Sequence, residues 1–172
     1  QRPDIIYIFS KDILRHRRAQ KEDAVWLKKG EEYKDETLSV RAFGSTDVGV
    51  SFLLQASGKK IFHAGDLNNW HWMDESTEAE WKGAEKNFLH ELDDLYAYTP
   101  EVDVAMFPVD PRLGKEYMRG AGQFVTKIKT HIFVPMHFTP EYAKANAFRD
   151  FAEAHGVRFV SLTHRGQKIE IE

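Results

Sequence analysis

Hydrophobic spacing changes once along this chain, at Asp66, and few architectures accommodate the change. Before that point come short stretches, Ala24 to Leu27, Glu31 to Tyr33, Thr37 to Phe43, Val48 to Ala56 and Lys60 to His63. Turn signals separate them: Lys29-Gly30, Lys34-Asp35-Glu36, Gly44-Ser45-Thr46-Asp47 and Ser57-Gly58-Lys59. Stretches of this length, partly alternating and bounded by such residues, predict a meander of short strands. After Asp66 the pattern lengthens. From Glu75 to Tyr98 the residues Trp81, Phe88, Leu92 and Leu95 recur at helical spacing among charges, and Pro100 stops the helix. Val102 to Pro108 reads as a buried strand, Gly114 to Lys129 as a helix, His131 to Met136 as a strand and Pro140 to His155 as a helix ended by Gly156. Val157 to Leu162 and Lys168 to Ile171 are expected to close with two strands. This β-α alternation predicts helices packed on a sheet, an α/β class.

The first apolar run, Asp4 to Ser10, is nearly continuous. Such runs belong to strands buried on both faces. A chain that starts in an interior strand is expected to lack its N-terminal neighbour, so residues 1–172 read as one domain, incomplete at the N-terminus. Its exposed flank would then be covered by the missing segment or by a second copy. With 42% apolar and 13% aromatic residues a real core is available. A net charge of -3 offers no general attraction for nucleic acid, and the dense basic run Arg15-His16-Arg17-Arg18 reads as a solvated helix face. The absence of cysteine excludes disulfides and thiolate metal sites and fits a cytoplasmic protein. No apolar stretch approaches the roughly 18 residues that span a bilayer, so no membrane association is expected.

Two strand ends carry side chains suited to a metal ion. Lys60-Lys-Ile-Phe-His63 is followed by Ala64-Gly65, which lets the backbone turn and deliver the carboxylate of Asp66. The strand His131-Ile-Phe-Val-Pro-Met136 ends in the imidazole of His137. Carboxylate oxygen and imidazole nitrogen are the donors a hard-to-borderline cation takes. The loop Leu67-Asn68-Asn69-Trp70-His71-Trp72-Met73-Asp74 follows directly; its residues Asn68, Trp70 and His71 read either as a substrate wall with a few placed donors or as core plugs. A second loop, Phe107-Pro108-Val109-Asp110-Pro111-Arg112, is made rigid by its prolines. Arg112 is suited to bidentate binding of a carboxylate or phosphate. Asp110 would orient Arg112 or a ligand histidine, or the two would form a local salt bridge. His63 reads as a structural or supporting hydrogen-bonding residue rather than a ligand.

The segment Gly49 to Asp66, ending in His63-Ala64-Gly65-Asp66, together with Pro135-Met136-His137-Phe138, resembles the metallo-β-lactamase fold hydrolases. The resemblance runs over most of the chain from Asp4 onward and is nearest to the bacterial branch that includes the sugar-phosphate lactonases. It implies an αββα sandwich with a metal site at the edge of two sheets. Asp66 matches a carboxylate that bridges two metals, and His137 matches a late histidine ligand. The resemblance also implies one or two Zn²⁺ ions, with Mn²⁺ or Fe as alternatives, and metal-activated hydroxide attacking a small anionic ester, lactone or phosphodiester. In the chain the family's His-x-His-x-Asp-His motif does not occur. Where the family carries another histidine before the hairpin, this sequence has Ser45-Thr46-Asp47-Val48-Gly49, so Asp47 is either a substitute ligand or a turn cap. Asp66, His137 and Asp47 then give at most three ligands. A second expectation follows, that the chain is a non-catalytic fragment or split half acting as a binding partner.

Overall fold

The computed structural model describes residues 5–15, 22 and 24–171. The elements, in chain order, are β1 (Ile8–Ser10), α1 (Asp12–Arg15), β2 (Val25–Leu27), β3 (Glu32–Lys34), β4 (Leu38–Phe43), β5 (Ser51–Ala56), β6 (Lys59–His63) and α2 (Glu78–Tyr98). Then follow β7 (Glu101–Pro108), a short 3-10 helix (Pro111–Glu116), α3 (Arg119–Lys127), β8 (Lys129–Met136), α4 (Tyr142–Asn146), α5 (Arg149–Ala154) and β9 (Arg158–Phe159). Asp4 and His16 to Arg18, which figured in the sequence reading, lie outside the described residues.

Seven strands form one sheet in the order β3-β4-β5-β6-β7-β8-β9. The meander supplies the antiparallel part, β3 to β6. The hairpin between β5 and β6 turns at Ser57 and Gly58, both with positive φ (50° and 75°), the twist that a two-residue hairpin prefers. From β6 onward the pairing is parallel, β6 with β7, β7 with β8 and β8 with β9. The meander and the parallel strands thus share one sheet, because β6 and β7 are hydrogen-bonded neighbours, Ile61 opposite Val104.

Helices α2, α3 and α5 pack on one face. α2 starts at a capping box, with Glu80 N–H donating to Thr77 Oγ1 and Thr77 N–H to Glu80 Oε2. Its Phe88, Leu92 and Leu95 are fully buried against Phe62, Phe107 and Phe124 of the core. Phe107 is the hub, with ring centroids of Phe124 at 4.6 Å, Phe88 at 6.2 Å and Phe133 at 6.3 Å. On the opposite face Val104, Ile132 and Val160 form a smaller cluster with Ile61 and Leu162. Parallel strands β7 and β8 are thus buried on both sides, as their continuous apolar composition requires.

The run ahead of Ser10 does not form an interior strand. Only Ile8–Ser10 is extended; it pairs in parallel with β2, and Ile5 and Ile6 are exposed. This two-stranded sheet packs through Ile8, Val25 and Leu27 onto Val40, Ala42 and Leu54 of the large sheet. Toward the C-terminus the expected strands shrink. Arg158 and Phe159 alone pair, and residues 168–171 are not a strand. The helix expected over 114–129 breaks at Gly114, whose φ of 79° is not helical, and that over 140–155 divides into α4 and α5.

Candidate metal centre

Three adjacent parallel strands, β6, β7 and β8, end side by side, and each delivers one polar residue beyond its C-terminal end: Asp66, Asp110 and His137. The carboxyl ends of parallel strands are where α/β sheets place ligands. The register continues past the strands, with Ala64 N–H donating to Met106 O and Val109 N–H to Met136 O. After β6 the chain turns at Gly65 (φ 58°), where a Cβ would lie 2.9 Å from the Val50 carbonyl. Only glycine fits that approach. His63 closes the turn by accepting the Gly65 N–H at Nδ1, 3.0 Å. Loss of surrounding water holds the His63 imidazole below its ordinary pKa, against the pull of Asp66. This is the hydrogen-bonding role expected of it.

His137 has φ of 62°, left-handed and uncommon for a residue with a side chain. That backbone sets its ring between two carboxylates. Nδ1 lies 2.8 Å from Asp110 Oδ2, and Nε2 lies 3.3 Å from Asp66 Oδ1. Asp110 is fully buried, and Arg112 encloses it: Nε donates to Oδ1 and Oδ2 at 3.0 Å each, Nη2 to Oδ2 at 2.5 Å, and the Arg112 backbone N–H to Oδ1 at 3.0 Å. Burial pushes the Asp110 carboxyl up, but Arg112 and His137 outweigh it and leave the group below the usual carboxylate range. With Asp110 at Nδ1, Nε2 is the ring nitrogen turned toward Asp66. This is the carboxylate–histidine arrangement that orients a metal-ligating imidazole.

Arg112 is thus not the free anion binder expected. Its Nε/Nη2 edge, the fork that grips a carboxylate, is spent on Asp110. Asp110 is hydrogen-bonded to both Arg112 and His137. Asp47 is exposed; its backbone N–H donates to Ser45 Oγ, and its charge acts on Arg112. Among the described residues no three His, Asp or Glu side chains gather so as to hold a metal ion, so Asp47 does not complete a trio with Asp66 and His137.

The loop after Asp66 divides into wall and foundation. Trp70 is half-buried, donates Nε1–H to Asp66 O at 2.8 Å, meets the His137 ring edge-on at 5.3 Å and stacks with Trp72. It stands beside the centre as expected. Asn68 and His71 do not. Asn68 is fully buried, its backbone joined to Thr46 and its amide packed against Gly120. His71 uses both ring nitrogens internally, Nε2 toward Glu116 O and Nδ1 accepting from Met73 N–H. They are corrected to structural residues, because the loop folds both side chains inward: His71 satisfies backbone, whereas the buried Asn68 amide has no hydrogen-bond partner among the described residues.

Sequence reading missed the support beneath this loop. Asn69 donates to Glu85 and Gln123, and Glu85 also accepts from Arg119 (2.7 Å) and Gln123 (2.5 Å). The Arg119 hydrogen bond holds the Glu85 carboxyl below its ordinary pKa, with burial opposing it. These polar residues of α2 and α3 carry no signal separating them from solvated helix positions.

No protein-family model matches the chain, and no curated protein matches it. Solved structures do. A protein from Parabacteroides distasonis, provisionally named a metal-dependent hydrolase, superposes on 93% of this chain and 65% of its own, with a TM-score of 0.64 and 15% identity. A metallo-hydrolase from the hyperthermophilic archaeon Ignicoccus hospitalis matches over 91% and 65%, with a TM-score of 0.58 and 15% identity. The metallo-β-lactamase fold protein YhfI from Bacillus subtilis matches over 91% and 63%, with a TM-score of 0.52 and 9% identity. At these identities the likeness is one of fold, and the fold is the metallo-β-lactamase fold. The chain spans slightly less than two thirds of the length of each of these structures.

Proposed function

We propose that this chain carries the carboxylate–histidine part of a metal-dependent hydrolase centre acting on a small ester, lactone or phosphodiester in a reducing compartment such as the cytoplasm. One observation carries the reading: His137 is held by a buried, ionised Asp110 so that its Nε2 faces Asp66. The two facing donors fit a divalent cation, Zn²⁺ first and Mn²⁺ or Fe as alternatives, and Asp66 and His137 would hold it. When bound, such an ion supplies a nucleophilic hydroxide near neutral pH and polarises the carbonyl or phosphoryl oxygen. Asp110 fixes the imidazole tautomer, Arg112 keeps Asp110 ionised, and Trp70 anchors the Asp66 turn and shields one side of the ring. Two donors do not close a metal shell. The remaining ligands would come from polypeptide outside these residues or from a second copy.

Hydrolysis of a panel of chromogenic esters, lactones and phosphodiesters by the assembly that supplies the remaining ligands tests the proposal, with and without added metal. The expected result is turnover that chelation abolishes and metal restores, and that Asp66→Ala lowers by orders of magnitude. Turnover indifferent to chelation would refute it. The absence of a third ligand among the described residues favours a second reading, a non-catalytic half that binds a partner. Metal-independent association with such a partner, and no turnover in the complex, would support that reading.

A further inference from the structure

Arg112 is committed to Asp110, which leaves the recognition of an anionic substrate without an agent at the centre, and a second arginine is placed to supply it. A cavity of about 640 Å³ lies against the end of β8, lined by His137 and Arg165 together with Phe138, Pro140, Tyr142 and Leu162. Its volume is in the range of small-molecule sites. Its walls are fixed. Phe138 and Tyr142 meet edge to face at 5.2 Å. Asn146 clamps Leu162 from both sides, Nδ2 donating to Leu162 O at 2.8 Å and Oδ1 accepting Leu162 N–H at 3.1 Å. The turn that follows is tied by Gln167, which donates to Ser161 O and accepts from Thr163 N–H, with Gly166 (φ 75°) completing it. Arg165 stands on this anchored turn. Among the described residues it has no ion pair or hydrogen bond, whereas Arg112 and Arg119 are both paired with carboxylates.

We propose that this cavity binds a small molecule with an apolar ring or chain and a single carboxylate. The apolar body lies on Phe138, Tyr142 and Leu162, and the carboxylate takes the fork of Arg165, which places the rest of the molecule beside His137. The inference rests on the hydrolase reading and narrows it to esters or lactones that carry, apart from the scissile bond, a free carboxylate on an apolar body. Among the described residues Arg165 is the one lysine or arginine that lines the cavity. One guanidinium matches a monoanion in charge, and a phosphate dianion is more strongly hydrated.

The test is equilibrium binding of phenylacetate, followed by nuclear magnetic resonance in the presence of a chelator, so that metal chemistry is silent. Phenylacetamide and phenyl phosphate serve as comparison ligands. Saturable phenylacetate binding is expected, with shifts at Phe138 and Tyr142. Arg165→Gln should weaken it by about tenfold or more. Arg165→Lys should recover only part, because the fork is lost. Arg158→Gln, a charge-matched change on β9, should leave it unaltered. Phenylacetamide should bind wild type no better than phenylacetate binds Arg165→Gln. Absent binding, equal binding by Arg165→Gln, or tighter binding of phenyl phosphate than of phenylacetate would overturn the proposal. Because the assay excludes metal, a protein that binds phenylacetate as expected yet shows no metal-dependent turnover would sink the hydrolase reading and leave the cavity standing.

Discussion

Replacing Asp110 by Asn keeps the side chain's shape but removes the charge that sets the His137 ring. Carboxylates behind a ligating imidazole raise its basicity and fix its tautomer, and their loss lowers metal affinity by about 10–100-fold. Asp110→Asn should show that drop in competition against a chromophoric chelator; a change below about twofold would mean the ring is set by other contacts. Arg112 acts through the same carboxylate. Arg112→Ala strips the fully buried Asp110 of its guanidinium donors and should cost about 1–3 kcal/mol of stability by chemical denaturation. Its effect on turnover should follow metal occupancy rather than substrate concentration, unlike that of an arginine that touches substrate. Asp66 and His137 were legible in the sequence because each follows an unmistakable strand. For Arg112 the sequence left open an anion-binding fork or a local salt bridge with Asp110, and the turn of the loop decides for the salt bridge. Asn68, Trp70 and His71 share one loop and one composition, and sequence does not tell which side chains turn inward. Trp70 meets His137, His71 satisfies neighbouring backbone, and the Asn68 amide is buried against Gly120.

Between elements, the loop after Asp66 rests on α3 and α2 through contacts that leave little room. A Cβ on Gly120 would fall 2.0 Å from Asn68 Oδ1 and 3.0 Å from the Asn69 N. Glycine to alanine near a helix start ordinarily stabilises, by up to about 1 kcal/mol. Here Gly120→Ala should do the reverse, lowering stability by about 1–3 kcal/mol through overpacking and loosening the loop that carries Trp70. A raised melting temperature would contradict this. The Glu85 network gives a pH signature. Its carboxyl lies below the ordinary value in the folded protein because Arg119 and its amide partners favour the charged form. The stability it contributes is therefore fully present above the unfolded value, near 4.3, and is lost as pH falls through the folded value. Glu85→Gln should reduce stability at neutral pH and flatten the acid limb of the stability curve below about pH 4.3. An unchanged acid limb would show that the network does not tie α2 to α3. None of this support was legible, because a glutamate and a glutamine on helices look alike whether they face water or each other.

For the molecule as a whole, the change of hydrophobic period at Asp66 foretold the antiparallel-then-parallel composition of the large sheet. Periodicity does not say which strands pair, and the parallel pairing of β6 with β7 joins the meander and the parallel strands in one sheet. That pairing is what matters for function. It sets the ends of β6, β7 and β8 in a row, so Asp66, Asp110 and His137 meet although 71 positions separate the first from the last. The first apolar run was misread because a continuous apolar stretch fits an interior strand and a short strand on a sheet face equally well. The central claim is that Asp66 and His137 are joint donors to one cation. Calorimetric titration of Zn²⁺ into the protein, alongside Asp66→Ala and His137→Ala, tests it most directly. The account predicts saturable binding in the wild type that either substitution weakens by at least about tenfold, or about 1.4 kcal/mol. Failure of the wild type to bind, or binding that both variants retain unchanged, would contradict it.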